Sequence, residues 1–376
     1  MENQPLHLHV IAFNVPFPAD YGGVIDVFHK IRSLHEAGIR ITLHCFEYGR
    51  VKAPELESIC DEVYYYHRPK SFWYQLHYKP YIVVTRSNTE LLKNLLSDND
   101  PILFDGLHTT YFFHHPKLQN RIKIVRAHNI EYQYYSLLAK KSNNLISKCF
   151  HYVESVKLFF YEKTIKAASG IAAISASDAE YFSKINPNTQ WIGAFHANDS
   201  IKSLAGKGKY LLYHANLEVA ENLEAMDFIL KKVMPGLNLP LVIAGKNPPP
   251  KILSHIIRLQ NVKLIANPSD EDMRDLLFHA HIHLLPTFQP TGLKLKLISS
   301  LHIGRHIVVT PEMIEGSGLE ALCHVVKNEQ EMQQKINELW DIPFDDNELE
   351  KRKTIMDKNF SNKTNTEKLI RLIWDK

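Results

Sequence analysis

The chain has 376 residues, 45% apolar and 23% charged, with 44 Lys and Arg against 41 Asp and Glu. That length exceeds one ordinary hydrophobic core and points to two domains. The composition is that of an ordinary globular protein, and a net charge of +3 gives no reason to expect a nucleic-acid partner.

The four cysteines, at 45, 60, 149 and 323, form no CxxC pair. They argue for buried thiols in a reducing compartment, not for a disulfide frame. No run approaches the roughly twenty apolar residues of a membrane span. The start, MENQPLHLHVIAF, lacks the basic and long apolar regions of a signal peptide. A cytoplasmic location is therefore expected. None of the 21 histidines falls in HExxH or another metal-ligand spacing, so no metal is expected.

In chain order, Leu6–Phe13 reads as a buried strand, followed by a Pro-rich loop and Gly22-Gly23. Val24, Val27, Phe28, Ile31 and Leu34 recur at helical spacing, Gly38 ends that helix, and Ile39–Phe46 is the next strand. Strand, glycine loop, helix and strand make a βαβ unit of a parallel sheet. Further strands are expected at Glu62–Tyr66, Pro101–Asp105, Ile122–Ala127, Gly170–Ser175 and Trp191–Phe195. A long helix is expected from Tyr132 to Ala168, with a break near Ser142–Asn144.

The stretch Ala197–Lys209 is polar and small, and reads as an interdomain linker between a first domain over 1–196 and a second over 210–345. The strand–helix rhythm restarts there: strand Tyr210–Ala215, helix Asn222–Val233, strand Leu239–Ala244, helix Lys251–Arg258, strand Val262–Ile265 and helix Asp270–Ala280. Strands Ile282–Leu285 and Ile307–Thr310 follow, and the tail 346–376 is expected to be helical and to brace the first domain. Two doubly wound α/β halves imply a central cleft between the carboxyl ends of two parallel sheets, where ligands bind.

The richest segment is FQPTGLKLKLISSLHIGRHIVVTPEMIEGSGL, from Phe288 to Leu319. Gly292 precedes a helix whose first turn is expected to carry Lys294 and Lys296. A glycine loop, a helix start and two cations together can hold a diphosphate. Residues two apart on a helix point roughly 200° from each other, so both lysines serve only if Lys294 is still in the loop. Gly316, Ser317 and Gly318 offer N–H groups in a second tight turn after Glu315, with Ser317 also placed to cap a helix from Leu319. Lys246 ends a strand on the cleft side. In the first half, Gly22 and Gly23 open a helix, His108 follows the strand PILFDG, and His128, Asn129 and Glu131 follow the next strand. Glu131 can take a proton or cap the helix behind it. Ten Lys and Arg against three Glu between Lys117 and Lys166, with the aromatics of Tyr64–Tyr81, suit a sugar or a membrane surface.

These residues resemble the GT-B glycosyltransferases, specifically their large retaining group called family four. PFPADYGGVIDVFHKIRSLHEAGIRITLHCF is similar to that family's first strand–loop–helix–strand, and VRAHNIEYQYYSLLA to the HN-x-E segment of a subgroup in exopolysaccharide assembly. HANLEVAENLEAMDFI, TGLKLKLISSLHIGRHIVV and EGSGLE resemble its donor-side motifs. The resemblance implies two Rossmann-like domains and a UDP- or GDP-linked sugar as co-substrate. It also implies a saccharide acceptor, with peripheral contact at the inner face of a membrane as an expectation, and neither cofactor nor metal.

The resemblance further implies that Lys294 and Lys296 stabilise the leaving diphosphate and that Glu315 holds the transferred sugar. His108 would lie near that sugar, and Gly22, Gly23, Asn216, Lys246, Gly292, Ser299, Gly316, Ser317 and Gly318 would line the donor. His128, Asn129 and Glu131 fall to the acceptor side. Ser299 stands where the family has a ribose-binding Glu, and His306 where it has Pro. Those departures keep open a catalytically weakened binding partner in glycan assembly, and a sugar-nucleotide epimerase is a further alternative.

Overall fold

The computed structural model describes residues 5–250, 256, 259–289, 292 and 294–375. The expected helix Lys251–Arg258 falls almost wholly outside them. The chain divides into two compact units, one formed by the chain up to Ala197 with the stretch from Ser361, the other by Asn198–Phe360.

The first unit holds a seven-stranded parallel sheet in the order β3-β2-β1-β4-β5-β6-β7. Its strands are β1 (His7–Ala12), β2 (Arg40–Glu47), β3 (Glu62–His67), β4 (Ile102–Asp105), β5 (Lys123–Ala127), β6 (Gly170–Ala173) and β7 (Thr189–Trp191). Near-continuous apolar runs such as LHVIA and ILF suit strands covered on both faces. The helix Gly22–Glu36 turns Val24, Val27, Ile31 and Leu34 inward, as their spacing requires.

The break expected near Ser142–Asn144 is present and separates two helices, Glu131–Lys141 and Leu145–Glu162: the Asn144 side chain accepts the Ile146 and Ser147 N–H groups and starts the second. One expectation changes here. The last strand stops at Trp191, although Ile192–Phe195 is buried. Its backbone groups are taken by charges: Arg126 donates to the carbonyls of Ile192 and Gly193, and Phe195 N–H donates to Asp26.

Asp26 belongs to a fully buried network. Arg126 makes a two-pronged contact with its carboxylate (2.7 and 3.1 Å), and Lys30 lies 3.1 Å from Asp26 and 2.6 Å from Asp105. His128 Nε2–H donates to Asp105 at 2.5 Å. Burial alone would raise both carboxyl pKa values. For Asp26 the charges of Arg126 and Lys30 outweigh burial, and for Asp105 Lys30 and His128 do, so both stay ionised.

The second unit holds a six-stranded parallel sheet in the order β10-β9-β8-β11-β12-β13. Its strands are β8 (Tyr210–Asn216), β9 (Leu241–Lys246), β10 (Val262–Ala266), β11 (Ala280–Leu285), β12 (His306–Val309) and β13 (His324–Val325), the last too short to show in the sequence pattern. The helix after β8 runs Ala220–Phe228 and continues through a π-helical turn, Ile229–Val233. The tail is two helices and not one brace. Asp346–Phe360 packs in the second unit, and Asn362–Trp374 returns to the first, burying Leu369, Leu372 and Ile373 there.

Removing one partner of a closed buried network strands the others. Asp26→Ala is expected to destabilise the first unit by about 3–5 kcal/mol, read as a lower urea midpoint. A loss within about 0.5 kcal/mol, the size of a surface change, would show that the network carries no such weight.

Candidate functional site

In each sheet the strand order reverses once. In the first unit the reversal lies between β1 and β4, in the second between β8 and β11. Chains leaving the carboxyl ends of such a strand pair diverge and leave a crevice for ligand. The segments that emerge there are those after Ala12 and Asp105 in one unit, and after Asn216 and Leu285 in the other.

In the second unit these segments build a charged cluster. Lys294 is the N-cap residue, with extended backbone (φ −89°, ψ 100°), and the helix begins at Leu295. The two lysines therefore do not share the first turn, and the loop position of Lys294 lets both approach Glu221. Lys294 Nζ is 3.7 Å from Glu221 Oε1. Lys296 Nζ donates to Asn222 Oδ1 at 3.0 Å. Burial lowers its pKa to about 8, with Glu221 opposing the shift and Lys294 adding to it. Thr287 Oγ1–H donates to Glu221, and Thr310 Oγ1–H donates to the Thr287 carbonyl at 2.7 Å, joining the ends of β11 and β12.

The other donor-side candidates are placed as follows. Asn216 accepts Glu218 N–H at 3.0 Å, and its carbonyl accepts from Asn222 Nδ2 at 2.8 Å, so it shapes the loop that presents Glu221. Lys246 is exposed and is Asn216's register partner. Gly292 is exposed with φ 70°. Ser299 is half-buried, three residues after Lys296 and so on the same helix face. Glu315 is exposed after the helical turn Pro311–Ile314. Gly316 and Gly318 have φ of 68° and 73°, which only glycine adopts freely.

Ser317 corrects an expectation. Its N–H donates to the Ile314 carbonyl at 2.9 Å and its hydroxyl to the same oxygen at 2.7 Å, because the chain closes a tight turn there. That N–H is not available to a phosphate. Its oxygen accepts Leu319 N–H, but only a 3-10 turn, Glu320–Leu322, follows.

In the first unit, Phe13 lies between two imidazoles, with ring centroids 5.4 Å from His108 and 5.7 Å from His128. Gly22 opens the helix after β1. A Cβ on Gly23 would lie 2.6 Å from the tip of the Phe13 ring, so any larger residue there must displace that ring. Burial, with Arg86 nearby, holds His108 well below the usual histidine range, so its ring is neutral. Its Nδ1 stands 3.9 Å from Glu131 Oε1. Asn129 is half-buried in the loop between His128 and Glu131.

Glu131 does not cap its helix. Ile130 is the N-cap residue and makes no side-chain cap, and Glu131 sits in the first turn. Burial and the neighbouring Glu162 and Asp178 raise the Glu131 carboxyl to about 8. Burial also raises Glu162 to about 7 and Asp178 to about 6.

The sequence reading missed Glu221 and Asn222, although they lie within HANLEVAENLEAMDFI, and it missed Arg86. Arg86 is 3% exposed and donates twice to the Phe13 carbonyl, at 3.0 and 2.7 Å, holding the loop that carries Phe13. A lone arginine after an apolar stretch, IVVTR, offers no spacing signal.

Comparison with known proteins defines the class. At 12% identity, the chain matches the Anabaena protein HepE, solved with UDP and glucose, over 97% of this chain and 98% of that one, at a TM-score of 0.63. WaaG, a glycosyltransferase involved in lipopolysaccharide biosynthesis, matches at 12% identity over 98% of this chain and all of the other, at 0.63. A variant of TarM from S. aureus, solved with Fondaparinux, alpha-GlcNAc-glycerol and UDP, matches at 11% identity over 98% and 99%, at 0.62. The fold is that of the GT-B glycosyltransferases. Residues 208–341 match the family Glycosyl transferases group 1, and the protein is a glycosyltransferase. It is also 26% identical over 327 residues, 82% of this chain and 84% of the other, to an uncharacterized 44.6 kDa protein in the cps region of Klebsiella pneumoniae.

The acid cluster beneath His108 predicts a pH signature. With a raised folded-state pKa, Glu131 binds a proton in the folded chain that the unfolded chain has released between its ordinary value and about 8, so stability falls as pH rises through that window. Glu131→Gln mimics the protonated acid. Its melting temperature is expected to match wild type near pH 5 and to exceed it at pH 8. Equal melting temperatures at both pH values would show that Glu131 ionises normally.

Proposed function

We propose that the protein transfers a hexose-type sugar from a UDP- or GDP-linked donor to a glycan or lipid-linked saccharide, with retained anomeric configuration and without a metal at the reacting diphosphate. The cluster of Lys294, Lys296 and Glu221 at the switch point of the second sheet carries this reading. Breaking the anomeric bond adds charge to the leaving diphosphate. Fixed cations in a poorly hydrated site lower that barrier. Glu221 keeps the two lysines together while no phosphate is bound, and two cations against one acid leave the cluster positive.

The departing phosphate can take the acceptor proton in a retaining front-face reaction, so no dedicated base is required. UDP in the HepE and TarM structures makes UDP-sugars the first donors to test. The cps-region relative supports an exopolysaccharide acceptor. The weakened-partner alternative rests on the departures at Ser299 and His306, and the lysine cluster argues against it.

Lys296→Ala is expected to lower kcat with a UDP-sugar about 10²–10³-fold, the effect of removing one fixed donor from a developing oxyanion. In the wild type, activity should decline above about pH 8 as Lys296 loses its proton. Full activity in a Lys294→Ala, Lys296→Ala double variant would defeat the assignment. Sugar-nucleotide breakdown without any acceptor would favour an epimerase.

A second observation bears on where the acceptor lies. The helix Leu145–Glu162 presents a solvent-facing stripe: Leu145 and Ile146 (each 82% exposed), Cys149, Tyr152, Val153, Val156, Phe159 and Phe160. Cys149 is thus exposed and not a buried thiol. Phe72, Trp73 and Leu76 are exposed on a neighbouring 3-10 turn, tied to the helix by Lys157 Nζ–H donating to the Gln75 carbonyl. Lys140, Lys141, Lys148 and Lys163 are exposed around the stripe, whereas Glu154 and Glu162 are buried.

An apolar stripe ringed by cations alone suits the surface of an anionic membrane. A second copy of the same face would bring like charges together. Among the described residues no helix is long and apolar enough to cross a membrane, so the contact proposed is peripheral.

The chain is expected to co-sediment with vesicles containing phosphatidylglycerol and not with neutral ones. Replacing Lys140, Lys141, Lys148 and Lys163 by Gln should weaken that binding at least tenfold, since each surface lysine contributes about 1 kcal/mol. No vesicle binding at low salt, or a concentration-dependent dimer lost in Phe160→Ser, would reassign the face.

A further inference from the structure

Among the described residues, three groups of side chains bring histidine and carboxylate atoms within 4.8 Å of one another: His7, His9 and Asp98; Asp26, Asp105 and His128; and His306, His324 and Glu348. Their hydrogen bonds separate them. In the first, His7 Nδ1 pairs with Asp100 and Nε2 with Thr42, while His9 Nδ1 pairs with His44 and Nε2 with Asp98. In the second, Lys30 and Arg126 already neutralise the two carboxylates. Both groups have spent their lone pairs inside the protein.

The third group differs. His306 is 2% exposed, and its Nε2–H donates to the Ile342 carbonyl at 3.0 Å. That bond fixes the proton on Nε2 and leaves the lone pair on Nδ1, which is buried without a hydrogen-bond partner. A histidine held through one nitrogen by a backbone carbonyl, with the other bare, is the arrangement of a metal ligand and its supporting contact. His306 opens β12, His324 opens β13, and Glu348 lies in the first turn of the helix Asp346–Phe360. A cavity of about 60 Å³ beside them includes His324, Glu348, Cys323, Phe344, Lys351 and Arg352 in its lining.

We propose that His306, His324 and Glu348 form a site for a divalent transition metal of the zinc class, joining β12 and β13 to the helix Asp346–Phe360. Two imidazoles and one carboxylate favour such an ion over magnesium or calcium, which prefer oxygen ligands. Ligand atoms around a tetrahedral zinc lie roughly 3.3 Å apart, so small side-chain rotations close the site. The cavity beside the site carries the Cys323 thiol on its wall. The nearby Arg352 guanidinium opposes a second positive charge, but it is committed to the carbonyls of Gly304 and Arg305, the Ser203 hydroxyl and the Phe344 ring. Glu348 supplies the compensating charge.

The site lies where β12 and β13 begin, whereas Lys294 and Lys296 lie beyond the carboxyl end of β11. The metal is therefore a structural staple apart from sugar transfer, and the inference does not depend on the proposed reaction. Ligands 18 and 24 residues apart show no motif spacing in the sequence.

The test uses the untagged full chain, stripped with a chelator and dialysed against zinc. One zinc per chain is expected. His324→Ala and Glu348→Gln, both at partly exposed positions, should each lower zinc affinity tenfold or more, and cobalt in place of zinc should give the visible absorption of a tetrahedral site. His7→Ala should bind zinc as wild type does. No stoichiometric zinc, or zinc binding unchanged in both variants, overturns the proposal, as does loss of zinc in His7→Ala alone. Sugar transfer that vanishes when zinc is removed, at a temperature where the chain stays folded, would overturn the separation from the reaction.

Discussion

Four charges without access to water set the geometry of the first unit. Asp26, Lys30, Asp105 and Arg126 each have fully buried side chains, two of each sign, and His128 closes the ring against Asp105. Such a network contributes little net stability compared with an apolar core of the same shape, because desolvation offsets most of the attraction. It gives position. Asp26 comes from the helix after β1, Asp105 and Arg126 from the ends of β4 and β5, and the Phe195 N–H from the segment after β7. Each element must arrive in register or a charge is left bare. The network thus fixes the floor beneath His108, His128 and Phe13.

The second unit solves the same problem with fewer charges and more hydroxyls. Thr310 and Thr287 exchange hydrogen bonds across the ends of β11 and β12, and Thr287 then holds Glu221. Glu221 begins the helix after β8, where a carboxylate is favoured by the helix dipole. It keeps two lysines in one place against their mutual repulsion. The burial that lowers the Lys296 pKa also makes its charge more effective toward an incoming anion, since little water screens it.

Much of this was legible in the chain. Apolar runs of four to six residues, punctuated by glycine and separated by amphipathic stretches, could only be buried parallel strands with helical crossovers. Gly23, His108, Lys294 and Lys296 stood out because they follow strand ends. The rest was hidden for physical reasons. Asp26 and Lys30 sit on the same helical face as Val27, Ile31 and Leu34, but a pattern that counts apolar positions passes over a buried ion pair. The strand expected to Phe195 ended early because Arg126, 66 residues away, captured the Ile192 carbonyl. Glu221 and Lys294 meet only through tertiary structure, and the Ser317 N–H was lost to a turn whose closing bond no residue type announces.

The two switch points differ in charge, and the difference suits the proposed chemistry. At the second sheet, Lys294 and Lys296 supply positive charge where a diphosphate would leave. At the first, the titratable groups near the Phe13 loop are held neutral or paired, apart from the arginines Arg68 and Arg86. Burial keeps His108 without its proton and Glu131 with its own, while His128 is spent on Asp105. A neutral imidazole can exchange hydrogen bonds with sugar hydroxyls without attracting phosphate. Arg86 does not break this rule, because its guanidinium is committed to the Phe13 and Ile82 carbonyls. A surface that binds uncharged hydroxyls and one that binds phosphate need opposite treatment of burial. Beside the Phe13 loop desolvation removes the charge of His108 and Glu131, and at the second switch point the Glu221 carboxylate opposes the loss of Lys296's charge to burial.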